Sequence, residues 1–176
     1  MDASWLGFPR PDGQFGARNH VMVVPGGLVP ARICDWVPGV RTITTSDRGY
    51  GRTERDRETI ARTLVGLGRN PNVYGVIVWG GDPTRDYAEL EPRRLAEAIA
   101  AGGKPVEVID PDGVGGSFGA LERGVRAARR LVRDASRLRR ERAGVDQLCL
   151  GVKCGNSDLN LGVGPATRSS ATCSTG

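Results

Sequence analysis

Val73-Tyr74-Gly75-Val76-Ile77-Val78-Trp79, closed by Gly80-Gly81-Asp82, is the stretch that decides the fold. It is short, β-branched and aromatic, and almost wholly apolar, which predicts a strand buried on both faces, as in parallel sheets. The same signal recurs on either side. His20-Val21-Met22-Val23-Val24-Pro25 stops at Gly26-Gly27, and Thr42-Ile43-Thr44-Thr45 is a weaker candidate. Pro105 to Ile109 follows Gly102-Gly103, and Leu148 to Val152 runs into Lys153-Cys154-Gly155-Asn156-Ser157-Asp158. Helical spacing fills the intervals. From Thr53, Ile60, Leu64 and Leu67 share a face until Gly68 and Pro71, and behind Pro92 the inward set is Leu95, Ala98 and Ile99. From Arg123 to Arg142 a long basic helix is expected, with Phe118, Leu121, Val125, Ala128, Val132 and Ala135 turned inward.

Strand and helix in regular alternation, with short connections, predict an α/β fold. The expected architecture is a Rossmann-like, doubly wound, mainly parallel sheet in three α/β/α layers. Ligands of such sheets gather at the carboxyl ends of the strands. Those ends are Pro25-Gly26-Gly27, Ser46-Asp47-Arg48-Gly49, Gly80-Gly81-Asp82, Asp110 and Cys154 to Asp158. The expected organisation is a motif segment over 1–19, the α/β domain over 20–158, and a polar tail over 159–176 that reads as the truncated start of a C-terminal domain. No GxGxxG follows a strand and no Walker A sequence is present, so no nucleotide is indicated.

The net charge of +5 comes largely from the basic helix, whose arginines fall between apolar positions as a solvated face. Three Trp, three Tyr and three Phe leave few rings to stack bases, and nucleic acid is not an expected partner. No apolar run is long enough to span a bilayer, and the start MDASWLGFPRPDG lacks the pattern of a signal peptide. Cys34, Cys149, Cys154 and Cys173 have no CxxC spacing, so free thiols in a reducing cytoplasm are expected. A small anionic substrate or a partner subunit would account for the surplus charge.

Three segments carry a more specific signal. They are Gly7-Phe8-Pro9-Arg10-Pro11-Asp12-Gly13-Gln14-Phe15-Gly16-Ala17-Arg18-Asn19-His20, then Arg62 to Val73, then Leu150-Gly151-Val152-Lys153-Cys154-Gly155-Asn156-Ser157-Asp158. In this order the chain, from about Gly7 to Asp158, resembles the altronate/galactarate dehydratase family, which includes the large subunit of sulfolactate sulfo-lyase. The resemblance implies a lyase that eliminates water or sulfite from a hydroxy acid after taking the proton beside its carboxylate. It also implies a divalent cation, iron or manganese, able to stabilise the enolate-like charge.

Position by position, Cys154, Asn156, Ser157 and Asp158 fall on the family's Cys-Gly-Gly-Ser-Asp motif, with Asn156 in place of a glycine. The resemblance gives Cys154 and Asp158 as metal ligands and Asn156 and Ser157 as substrate contacts. The competing reading is a glycine-rich turn around a buried thiol. Arg10, Asp12, Arg18 and Asn19 match the opening motif, either touching substrate or clamping the N-terminal segment to the sheet.

One departure outweighs these matches. Altronate-type members carry His-x-His-Gly-Cys-Gly-Gln after the second strand, where this chain has Ser46-Asp47-Arg48-Gly49-Tyr50-Gly51-Arg52. The catalytic candidates at this loop are therefore Arg48, Tyr50 and Arg52, whose cationic character suits a sulfonate or a second carboxylate. The sole histidine, His20, opens a strand and reads as a core residue. Family resemblance also implies a small N-terminal-type partner subunit, a further C-terminal domain and a homo-oligomer. The alternative to a lyase is a non-catalytic ligand-binding or subunit-assembly domain that keeps the fold without the chemistry.

Overall fold

The structure, a computed structural model, describes residues 4–43, 52–81, 87–149 and 151. The chain divides into two units, one of residues 6–141 and one of residues 1–5 with 142–176. Strand β1 (Ser4–Pro9), whose last four residues open the larger unit, pairs antiparallel with β2 (Phe15–Gly16), Phe8 opposite Gly16 and Pro9 opposite Phe15. Asp12 and Gly13 make the turn between them. Gly13 takes a positive φ of 83°, and Asp12 Oδ1 accepts from the Gln14 amide at 3.1 Å.

Four strands then build a parallel sheet: β3 (His20–Val24), β4 (Val40–Thr42), β5 (Val73–Trp79) and β6 (Val106–Ile109), in the order β4-β3-β5-β6. Register is set by Val21 opposite Val40, Val23 opposite Ile77 and Val78 opposite Val108. The connections are α1 (Leu28–Trp36), α2 (Glu54–Arg69) and α3 (Pro92–Ala100), and α4 (Gly116–Ser136) follows β6.

Alternation along the strands explains the layers. Val21, Val23, Ile77 and Trp79 pack with Ile33 of α1 and Ala128 and Leu131 of α4. The intervening Val24, Val76 and Val78 pack with Leu64 of α2 and Leu95 and Ile99 of α3. Both faces are thus covered, which is why β5 can be apolar at nearly every position. The central sheet is parallel as expected, and the N-terminal hairpin adds an antiparallel pair that the sequence reading did not separate from the opening motif.

Several element assignments shift. The second strand is Val40–Thr42, two residues earlier than expected, because fully buried Val40 supplies its apolar anchor. Helix α1 was not anticipated, and Pro30 sits within its first turn, where a missing amide is tolerated. In α3 the buried alanine is Ala96, not Ala98. Helix α4 ends at Ser136, well short of Arg142, and a strand β7 (Glu141–Gly144) follows. The strand expected over Leu148 to Val152 is absent from residues 148, 149 and 151, with Leu148 and Cys149 exposed, and residues 150 and 152 lie outside the described residues.

The inward face of α4 keeps the expected Ala128 and Ala135, with Leu121, Val125 and Val132 packed partly buried against the core, but its fully buried positions are mostly small residues. Its buried set is Ala120, Gly124, Ala127, Ala128, Leu131 and Ala135, leaving Phe118 at 89% exposure and Leu121 and Val125 only partly covered. Small residues won because the helix lies close to its neighbours. A Cβ at Gly124 would come within 2.6 Å of Ile33 Cδ1 and 3.2 Å of the Trp79 ring. In the smaller unit Trp5 Nε1 donates to Gly144 O at 3.0 Å. Among the described residues no helix is long and apolar enough to cross a membrane.

Candidate functional site at the carboxyl edge of the sheet

Parallel strands bring their carboxyl ends to one edge. The chain steps from β3 to β4 on one side and then returns to β5 on the other, so the turns after β3 and β5 flank the reversal point where open α/β sheets hold ligands. The turn after β3 contains a cis Val24–Pro25 bond and leads to Gly26, whose amide donates to Ile43 O at 3.0 Å. Thr42 Oγ1 donates to Val23 O at 3.0 Å, tying the ends of β3 and β4 together. After β5, the Gly80 amide donates to Ile109 O at 2.7 Å, and Gly81 takes a φ of 116°. The close approach of Gly26 requires glycine, since a Cβ there would lie 2.6 Å from Ile43 C and 2.7 Å from Thr42 Oγ1.

A polar strut that the sequence reading missed braces this edge. Arg57, one turn into α2, donates through Nε and Nη2 to Glu89 Oε1 at 3.3 and 3.1 Å. Its guanidinium lies 4.5 Å from the centroid of the Tyr87 ring, and its Nη1 donates to Arg52 O at 2.7 Å. A hydrogen bond from its own backbone and the Arg57 guanidinium hold the Glu89 carboxyl below its ordinary range. The strut therefore links the segment entering α2 with the segment following the β5 loop. No sequence motif marks it, because its partners are 32 residues apart. The start of α2 is fixed separately by a capping box, in which Thr53 accepts from the Asp56 amide and Asp56 accepts from the Thr53 amide.

Beside β6 at the same edge lies a cavity of about 610 Å³ that includes Gly81, Glu91, Arg93, Asp110, Val114 and Arg123. Glu91 is committed to the start of α3, accepting from the Arg93 and Arg94 amides at 3.0 and 2.7 Å. Arg93 and Arg123 bring two guanidinium groups, of a kind that can pair with carboxylate or sulfonate, and share the lining with the carboxylates of Glu91, Glu97 and Asp110.

The opening-motif residues lie at the opposite, amino edge. Arg10, 7% exposed, donates through Nε to Pro71 O at 2.7 Å and through Nη2 to Arg18 O at 3.0 Å. Burial lowers its pKa. The Arg18 amide donates to Asn72 Oδ1 at 2.9 Å, and Asn19 Nδ2 donates to Ala135 O at 2.6 Å at the end of α4. Asn19 Oδ1 is buried without a partner among the described residues. Asp12 is exposed in the hairpin turn. His20 sits at the same edge, half-buried, its pKa lowered by burial first and then by Arg41 and Arg18.

Lys104, also missed, completes this edge. It is 4% exposed and donates to Asn70 O and to Val73 O, the latter at 2.6 Å. Burial, reinforced by Arg10, lowers its pKa to about 8. Only Lys104 and Lys153 are lysines in an arginine-rich chain, which was the one available signal.

Among the described residues, Arg52 is thus not brought together with Arg10, Asp12, Arg18 and Asn19. Arg52 is at the carboxyl edge and exposed. Arg48, Tyr50, Cys154, Asn156, Ser157 and Asp158 lie outside the described residues. Among the described residues no group of three His, Cys, Asp or Glu side chains is placed to hold a metal. Cys34 and Cys149 are free thiols, and burial raises the pKa of Cys34.

Residues 7–136 match the second domain of the family described as D-galactarate dehydratase/altronate hydrolase. The chain is 34% identical over 164 residues to (2R)-sulfolactate sulfo-lyase subunit beta of Chromohalobacter salexigens, covering 92% of this chain and 40% of that protein. It is 27% identical over 175 residues to altronate dehydratase of Bacillus subtilis, covering 91% of this chain and 34% of that protein. It therefore spans well under half the length of either relative. No solved structure matches.

Proposed function

The chain belongs to the D-galactarate dehydratase/altronate hydrolase family, as its second domain, and from that premise we propose that it forms part of a lyase that eliminates sulfite or water from an anionic hydroxy acid. The observation that carries this reading is family membership joined to a carboxyl edge that presents arginines. There Arg93 and Arg123 line the cavity beside β6, and exposed Arg52 lies just before α2. The order of strands, with helices on both faces, is read as a Rossmann-like doubly wound sheet.

In the proposed reaction a base takes the proton beside the substrate carboxylate. The freed C–H pair becomes the new C=C bond, and the leaving group departs with its own bonding pair, as sulfite or, after gaining a proton, as water. The arginines hold the carboxylate and oppose the charge that develops on it. Arg48, Tyr50 and Arg52 are assigned to the loop that meets the leaving group, and Asn156 and Ser157 to the substrate. The Arg57–Glu89 strut positions that loop. Arg10, Asp12, Arg18 and Asn19 are assigned to holding the N-terminal segment on the sheet, in keeping with the partners of Arg10, Arg18 and Asn19.

A divalent metal, iron or manganese, with Cys154 and Asp158 as ligands, belongs to the proposal by family resemblance. The described residues do not themselves form a metal site, so no step is routed through one. A C-terminal domain, a small partner subunit and a homo-oligomer are proposed on the same footing.

The arginines at positions 48 and 52 favour a second anionic group on the substrate. Calorimetric titration of the complete enzyme tests this: sulfolactate should bind at least about tenfold more tightly than lactate, the worth of one added charge-assisted contact. Equal affinity would remove the basis for the sulfonate reading.

A further inference from the structure

Along α4 an apolar strip is only partly covered among the described residues. Phe118 is 89% exposed and Trp36, at the end of α1, is 56% exposed. Together with Leu121 and Val125 they line a groove of about 770 Å³ along α4. The groove follows α4 from Phe118 to Arg133, about 22 Å at 1.5 Å per residue. Arg126, Arg129, Arg130 and Arg133 border it, against Glu122 alone on the acidic side. Arg126 pairs with Glu122, and Arg130 pairs with Glu107. Arg129 and Arg133 make no ion pair among the described residues.

We propose that this groove receives an acidic amphipathic helix of a protein partner. An exposed aromatic pair over a partly covered aliphatic floor is costly to leave in water and is the usual composition of an interface centre. The groove's length matches about four helical turns, and its apolar floor would take one face of such a helix. The arginine border selects acidic residues on the flanks of that face. A second copy presenting the same groove would oppose arginines to arginines, so self-pairing is disfavoured. The relatives extend far beyond the matched region, so a domain of this kind has neighbours to meet. The inference stands apart from the proposed chemistry, because the groove lies on a helical face and not among the strand-end turns.

The test uses the full chain and a fluorescein-labelled peptide of about 15 residues, with leucines at helical spacing and glutamates on the flanks, read by anisotropy. A counterpart with lysine for glutamate is the control. The acidic peptide should bind and the basic one should not. Arg129→Glu/Arg133→Glu and, separately, Phe118→Ser should each weaken binding about tenfold or more, with unchanged thermal melting because these residues are on the surface. Equal binding of both peptides, or binding of neither, overturns the proposal. So does binding of phosphatidylserine vesicles or polyuridylate in place of the acidic peptide, lost in the same variants. A dimer in sedimentation that Phe118→Ser dissolves would overturn it in favour of self-pairing.

Discussion

Replacing Gly26 by alanine should loosen the carboxyl edge of the sheet. The added Cβ would lie 2.6 Å from Ile43 C and 2.7 Å from Thr42 Oγ1. Ordinary contact between carbons needs 3.5 Å or more, so the Ile43 peptide must retreat by about 1 Å. The hydrogen bond from the Gly26 amide to Ile43 O, now 3.0 Å, would then stretch to about 4 Å and be lost. Gly26 is buried, so the freed groups have little water to turn to. A buried unpaired group costs about 1–3 kcal/mol and overpacking a similar amount, which together give about 3 kcal/mol. For a chain of this size that is a fall of about 6–12 °C in Tm. Urea titration followed by circular dichroism measures it directly, with an unchanged slope marking a loss of stability and not of compactness. A variant within about 0.5 kcal/mol of the parent would refute the close approach on which the edge geometry depends.

Gly66 offers the opposite case, being exposed within α2 with nothing within 4 Å of a built Cβ. Gly66→Ala should raise stability by about 0.5–1 kcal/mol in the same titration. Thr53→Ala removes the capping box at the start of α2 and should cost about 1 kcal/mol. The same variant tests Asp56, whose pKa is lowered by its hydrogen bonds to Thr53. That contribution is present above the unfolded value of 3.8 and fades as pH falls through the lower folded value, so the parent–variant difference should shrink on acidification. Lys104, at about 8 when folded and 10.5 when unfolded, should titrate near pH 8 by NMR. Between those values the unfolded chain binds a proton that the folded chain does not, so stability should rise with pH across the window. Comparison with Lys104→Met isolates the effect; an ordinary lysine titration would contradict it.

The parallel sheet was legible because its signal is local and strong. Val73 to Trp79 can be buried on both faces only if helices cover both, and the helix-forming segments on either side supply them. The inward face of α4 was legible only in part: Ala128 and Ala135 are buried, and Leu121, Val125 and Val132 pack against the core, but Phe118 does not. Hydrophobicity ranks Phe118, Leu121 and Val125 above Ala120, Gly124 and Ala127, yet close packing against Ile33 and Trp79 selects the small residues. Helix α1 was hidden by Pro30, which reads as a breaker unless the helix start is already known. At the candidate site, the turns at Gly26 and Gly80 could be read from their glycines. The Arg57–Glu89–Tyr87 strut and Lys104 could not, because each acts on partners distant in sequence.

In the proposed function the carboxyl edge belongs to a working elimination site. Its most direct measurement is sulfite release from sulfolactate, and water elimination from altronate and galactarate, by the complete enzyme containing this domain. Arg52→Ala should be compared with Arg18→Ala, each checked for unchanged folding. Elimination is expected with at least one of these substrates, with kcat/KM reduced about tenfold or more by Arg52→Ala and much less by Arg18→Ala. Absence of elimination from all three, or a larger loss from the amino-edge substitution, would contradict the proposal.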